Sequence, residues 1–151
     1  NRYIALAIFV VASVTDWFDG KLARKYNLVT NFGKFMDPLA DKLLVSSAMI
    51  CLVSLNRIPA WVVIVIISRE FIISGFRLVA SDAGVVIAAS WWGKIKTVVQ
   101  MIMVIVLILS IHNPVVAVIE QILIYLALVL TVVSLLDYLI KNWKVMDDGK
   151  M

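Results

Sequence analysis

Apolar residues run through this chain in long stretches that are interrupted at intervals by short polar clusters. Arg2 to about Lys25 is a first apolar segment whose C-terminal third turns polar, and about Asn31 to Leu55 is a second that is polar at its N-terminal end. "NRIP" at Asn56–Pro59 ends the second, because the residue before a proline is pushed out of the helical region. A third segment covers about Ala60 to Ala80 and is broken by "SDAG" at Ser81–Gly84. A fourth runs from about Trp91 to Ile111 after a short amphipathic or irregular stretch, and "HNP" at His112–Pro114 ends it. A fifth covers about Val115 to Ile140 and leaves into "KNWKVMDDGK". Thr97–Ile111 and Val115–Leu136 carry a single acidic residue, Glu120, between them. With their flanks, such runs are long enough to span ~30 Å of hydrocarbon at ~1.5 Å per residue. The pattern predicts an all-α polytopic transmembrane bundle, five helices in one domain over residues 1–151, without repeats or linkers.

Composition removes the soluble alternatives. Hydrophobic residues make up 63% of the chain and charged residues 16%, with a mean hydropathy of +1.01. A soluble domain averages roughly 45–50% apolar and about 25% charged residues. The apolar runs are too many and too long for a signal peptide. The lone Cys51 excludes an intramolecular disulfide. The net charge of +4 is not gathered into a soluble basic patch, so no nucleic-acid partner is expected. It acts instead as a topology signal, since basic residues stay on the cytoplasmic side. Lys21, Arg24, Lys25 and Lys34 flank the first connection, and Lys141, Lys144 and Lys150 follow the last helix. Five alternating helices put both groups on one side, with Lys94 and Lys96, while the opposite connections hold only Arg57 and His112. The first connection is therefore expected to face the cytoplasm.

That connection lies in the chain's one concentrated charged window. "TDWFDGKLARKYNLVTNFGKFMDPLADK" holds four aspartates and five basic residues. On a helix, Asp16, Asp19 and Gly20 share a face, and so do Gly33, Asp37 and Asp41 on the next. An antiparallel pair joined by a short loop brings the two carboxylate faces together. Four carboxylates in so small a volume repel, and each is costly if desolvated alone. Two dications balance four negative charges, and all-oxygen ligation suits Mg²⁺ or Mn²⁺. Gly20, Ala23 and Gly33 leave backbone open to a bulky polar ligand. Ion pairing with Lys21, Arg24, Lys25 and Lys34 is the blander alternative, but it needs neither the helical register nor the glycines.

The series Asp16-x-x-Asp19-Gly20-x-x-Ala23-Arg24, eight residues, then Gly33-x-x-x-Asp37-x-x-x-Asp41 resembles the complete signature of the CDP-alcohol phosphotransferases. "KFMDPLADKLL", "SREFIISGFRL" and "GKIKT" are similar to that family's bacterial phosphatidylglycerophosphate synthase branch. The resemblance implies transfer of a phosphatidyl group from CDP-diacylglycerol to sn-glycerol 3-phosphate with release of CMP. It implies that Asp16, Asp19, Asp37 and Asp41 hold two Mg²⁺ (or Mn²⁺) ions, and that Asp41 is the catalytic proton acceptor. Gly20, Ala23, Arg24 and Thr30 would contact the CDP portion of the donor. The expected setting is the lipid bilayer of a bacterial inner membrane, the active site facing the cytoplasm, with a homodimer among the expected arrangements. Members of that branch begin with an additional helix, so a family fold of six would show five here.

Arg69 and Arg77, close to two turns apart, fall near one face of the third segment. Arginine matches phosphate bidentately, and a buried arginine is expensive without an anion. With Lys94 at the start of the fourth helix they form a candidate pocket for the acceptor phosphate. The competing reading pairs Arg69 with Glu70 and lets Arg77 snorkel to the interface. Lys96 reads as an interfacial anchor, Glu120 and Asp137 as interfacial acids near the ends of the last helix, and His112 as a loop residue. Trp61, Trp91, Trp92, Trp143 and Tyr138 fit an aromatic belt at the membrane interfaces.

Other acceptors, inositol phosphate or serine, stay open, as do a divalent-cation transporter and a noncatalytic scaffold. A transporter has no use for a cationic pocket beside its pathway, and the five segments show no inverted repeat. The paired aspartate faces generate the first prediction: Asp16→Asn, Asp19→Asn or Asp37→Asn abolishes turnover and weakens Mg²⁺ or Mn²⁺ binding. Near-native activity at limiting metal in all three variants contradicts it.

Overall fold

The computed structural model describes residues 2–26 and 31–147 and, within them, the side chains of all but residues 2, 24, 31–38, 145 and 146. Five α-helices make up the bundle: α1 (Arg2–Lys25), α2 (Asn31–Ser54), α3 (Ala60–Asp82), α4 (Trp91–Leu109) and α5 (Pro114–Asp147). The described residues contain no strand. Helices α1, α4 and α5 are long and apolar enough to cross a membrane. Charged residues interrupt α2 and α3: Asp41 and Lys42 in one, Arg69, Glu70 and Arg77 in the other. Large apolar side chains such as Leu43, Ile64, Val118 and Ile122 stand on the outer surface, as expected of a chain whose surroundings are lipid.

The polar punctuation becomes helix caps. Asn56 (φ 54°) and Gly84 (φ 80°) take the left-handed conformation just past α2 and α3. At each, two backbone bonds close the end: Arg57 N–H to the Leu52 carbonyl and Asn56 N–H to Val53, then Val85 N–H to Ala80 and Gly84 N–H to Ser81. These are Schellman closures, which satisfy carbonyls left over by the last turn. Ser110 (φ 47°) ends α4 in the same conformation. The Ser90 hydroxyl accepts the Gly93 N–H at 3.1 Å and caps the start of α4. "HNP" proves to be a beginning rather than an end. Asn113 Oδ1 accepts the Val115 N–H at 2.9 Å, and Pro114 opens α5, where its missing N–H costs nothing. The fifth helix also runs seven residues beyond the expected Ile140, to Asp147. Among the described residues past Ile140 there is neither proline nor a left-handed residue to stop it.

Helix α5 packs on α3 and α4, α2 touches α1, α3 and α4, and α1 also reaches α4. Position 57 meets 120 and position 69 meets 134, so α3 and α5 run in the same direction. This arrangement sorts the bundle into two halves. Phe9, Val45, Met49, Leu52, Val62, Ile66, Met103, Leu107, Ile124 and Ala127 form one apolar core. It draws on the C-terminal halves of α2 and α4 and the N-terminal halves of α3 and α5. Most of the charged side chains of these helices lie in the opposite halves, with Arg69 and Glu70 near the middle of α3.

At the apolar end, Arg57 Nη2 bonds Glu120 Oε1 at 2.6 Å. Glu120 is buried, at 7% exposure, so it is not the interfacial acid that its place in the sequence suggested. A carboxylate that has left water keeps its charge only with a partner, and Arg57 supplies one across the bundle. Glu120→Ala should therefore lower stability by about 1.5–3 kcal/mol, the worth of a charge-assisted bond. Thermal unfolding in detergent measures this, and turnover should be unchanged because the pair lies at the end away from the polar residues.

Candidate active site

The polar half encloses a cavity of about 300 Å³. Asp41 and Lys42 of α2, Arg69, Glu70, Ser74 and Arg77 of α3, Ser90, Gly93 and Thr97 at the start of α4, and Tyr138 of α5 line it. Helical register explains the convergence. Glu70, Ser74 and Arg77 follow one another at spacings of four and three on α3, and Ser134 and Tyr138 at four on α5.

Glu70 is the hub. Its Oε1 accepts Lys96 Nζ and lies 3.5 Å from Arg69 Nη1. Arg69 is itself buried and donates its Nε to Ser134 Oγ at 3.0 Å, while Ser134 donates to the Thr131 carbonyl at 3.0 Å. Gly93 packs closely here: a Cβ there would sit 3.2 Å from Arg69 Nη2 and 3.3 Å from Ser90 Oγ, so those side chains would have to shift by a few tenths of an ångström. Lys42 Nζ bonds Ser74 Oγ, and Ser74 donates to the Glu70 carbonyl at 2.6 Å. Arg77 is exposed and makes no ion pair with a described carboxylate. Lys42, Arg69, Arg77 and Lys96 thus face only two described carboxylates, Glu70 and Asp41. Among the described residues lining the cavity, three cations (Lys42, Arg69 and Arg77) stand against two carboxylates.

The expected site residues fall into three groups. Asp41, Arg69 and Arg77 are brought together on one cavity. Asp16 and Asp41, on different helices, are close enough to act on each other electrostatically. Asp16, Gly20 and Ala23 are partly covered and Asp19 is exposed on α1. Thr30 and the side chains of Arg24 and Asp37, with Gly33, lie outside the described residues. Among the described residues, no three His, Cys, Asp or Glu side chains are gathered tightly enough to hold a metal. The donor chemistry nevertheless fits a divalent ion. Two like-charged carboxylates held within electrostatic reach across a helix pair form a hard, all-oxygen set that a dication relieves. Lys94 is exposed and is not among the residues lining the cavity.

Two expectations are corrected here. Lys96 is fully buried on Glu70 instead of anchoring at the interface. Tyr138 is 3% exposed and lines the cavity, whereas Trp61, Trp91, Trp92 and Trp143 do stand on the outer surface. Lys42 and Ser74 are cavity residues that the sequence reading does not single out. For Lys42 a signal existed in its place beside Asp41 on a helix otherwise turning apolar.

A helical bundle with three helices long and apolar enough to cross a membrane, and a polar cavity lined by Asp41, Arg69 and Arg77, defines a membrane protein with a polar site inside its bundle. Residues 1–133 match the CDP-alcohol phosphatidyltransferase family, and the chain belongs to it. A Bacillus subtilis protein named CDP-diacylglycerol–glycerol-3-phosphate 3-phosphatidyltransferase is 53% identical over 141 residues, covering 91% of this chain and 72% of that protein. A Haemophilus influenzae protein of the same name is 42% identical over 144 residues, covering 92% of this chain and 77% of its own. A Mycobacterium tuberculosis protein named "Probable phosphatidylglycerophosphate synthase" is 43% identical over 137 residues, covering 91% of this chain and 65% of its own.

The hub generates a stability prediction. Glu70→Gln leaves Arg69 and Lys96 buried without their anion, which should cost about 3–5 kcal/mol. The double variant Glu70→Leu/Lys96→Met, which removes the Glu70 and Lys96 charges together and leaves Arg69 on Ser134, should recover part of the loss in thermal unfolding.

Proposed function

We propose that this chain transfers the phosphatidyl group of CDP-diacylglycerol to sn-glycerol 3-phosphate, giving phosphatidylglycerophosphate and CMP. One observation carries the reading: a single cavity joins Asp41, the last residue of the aspartate series, to Arg69 and Arg77. A group able to take a proton and a pair of cations able to hold a phosphate therefore face the same small volume. The named relatives supply the donor and acceptor identities.

Asp16, Asp19, Asp37 and Asp41 would hold divalent Mg²⁺ or Mn²⁺. The chemistry supplied by the metal when bound is neutralisation of the diphosphate and of the charge developing on the leaving oxygen. Gly20 and Ala23 leave room on α1 for the CDP portion, with Arg24 and Thr30 as its further contacts. Arg77 binds the acceptor phosphate, helped by Arg69, whose Nε and Nη1 are already engaged by Ser134 and Glu70. That grip turns the far hydroxyl of glycerol 3-phosphate toward Asp41. Asp41 accepts the hydroxyl proton as the oxygen bonds the phosphorus that carries diacylglycerol, and the bond from that phosphorus to the CMP oxygen breaks. A free aspartate is a weak base, with a pKa of ~3.9, so positioning carries much of the effect. Serine offers no phosphate to the cationic wall, which separates it from the glycerol phosphate reading. The polar half sits at the end flanked by Lys21, Lys25 and Lys141, so we place it on the cytoplasmic face of a bacterial inner membrane.

Arg77→Ala should raise the acceptor KM roughly ten- to a hundredfold, since a charge-assisted phosphate contact contributes about 1.5–3 kcal/mol. Turnover with glycerol, which lacks the phosphate, should be nearly indifferent to the change. Asp41→Asn should instead lower kcat severely while donor binding survives. Equal losses with glycerol and glycerol 3-phosphate in Arg77→Ala would mark the arginine as structural.

A further inference from the structure

The Tyr138 ring is 3% exposed, and its hydroxyl is buried with no hydrogen-bond partner among the described residues. The backbone beneath it is secured, because Asn142 Nδ2 donates to the Tyr138 carbonyl at 2.7 Å. Buried hydroxyls in folded proteins are nearly always bonded, so one left over at a cavity wall points to a partner that arrives with a ligand. The surroundings say what kind. Tyr138 lines the same cavity as Arg69 and Arg77, and both cations act electrostatically on its hydroxyl. Guanidinium groups are donors only, so neither accepts the phenolic proton. The nearby carboxylate of Glu70 is already taken by Lys96 and Arg69. Ser134, one turn earlier on α5, holds the Nε of Arg69, so α5 both fixes that arginine and presents a free donor beside it. An anionic oxygen placed among the three satisfies them together.

We infer that the Tyr138 hydroxyl is a binding group of the acceptor subsite, donating a hydrogen bond to a phosphomonoester oxygen held by Arg77. This rests on the acceptor reading proposed above. It assigns α5 a part in substrate recognition that nothing in its sequence pattern signals, since a tyrosine near the end of a membrane helix fits an aromatic belt equally well.

The test compares Tyr138→Phe with the parent full-length protein in mixed micelles containing CDP-diacylglycerol and Mg²⁺. Expected are a glycerol 3-phosphate KM raised about three- to tenfold, kcat within about twofold, and an unchanged donor KM. Inorganic phosphate should inhibit the variant more weakly by a similar factor, while turnover of glycerol should not change. Without substrate, the unfolding temperature should stay the same or rise, because a buried unsatisfied hydroxyl has been removed. An unchanged acceptor KM in Tyr138→Phe, alongside a raised one in Arg77→Ala, overturns this inference and leaves the acceptor reading standing. No change in either variant removes both. A clear fall in unfolding temperature without substrate would mark the hydroxyl as structural and also overturn the inference.

Discussion

The structure depends on how one carboxylate, Glu70, is shared. Charges in the interior of a membrane bundle persist only when paired, and Glu70 takes Lys96 from α4 and Arg69 from its own helix. Arg69 in turn reaches α5 through Ser134, so this group of side chains links three helices. Glu70 also acts electrostatically on Lys42, whereas Arg77 makes no ion pair with a described carboxylate. The group that holds the helices together thus also lines the cavity.

The division of the bundle into halves makes this tolerable. The apolar half packs Met49, Ile66, Met103 and Ile124 at almost no exposure and is clamped at its end by Arg57 and Glu120. With that half closed, the other half can hold an open polar cavity without the helices losing register. The parallel course of α3 and α5 matters here, since it places Arg69 and Arg77 opposite Ser134 and Tyr138. Asp41 of α2, Arg69 and Arg77 of α3 and Tyr138 of α5 thereby line one cavity.

The sequence disclosed the helices because their ends carry local instructions: Asn56 within "NRIP" and Gly84 within "SDAG" are each legible within four residues. It disclosed the aspartate faces because register along a helix is a local property too. The electrostatic contact between Asp16 and Asp41 needed only the added inference of an antiparallel pair. What spacing does not reveal is partnership between distant positions. Lys96 and Glu70 are 26 residues apart, and Arg57 and Glu120 are 63 apart. For an isolated lysine or glutamate near a helix end, the interface is the cheaper place, and only the packing of other helices overrides it. Tyr138 was misplaced for the same reason: an amphipathic ring suits a lipid interface and a cavity wall alike. The motif HNP failed differently, because a proline ends one helix and opens the next with the same geometry.

The central claim is that paired carboxylates and a cationic cavity serve one transfer between a CDP-linked lipid and a phosphorylated alcohol. Purified protein supplied with labelled CDP-diacylglycerol, with and without Mg²⁺ or Mn²⁺, tests it directly against a panel of glycerol 3-phosphate, inositol phosphate, serine and glycerol. The account predicts metal-dependent CMP release with a phosphatidyl product formed from glycerol 3-phosphate in strong preference to the others. Equal product from serine, or CMP release that needs no divalent metal, would contradict it.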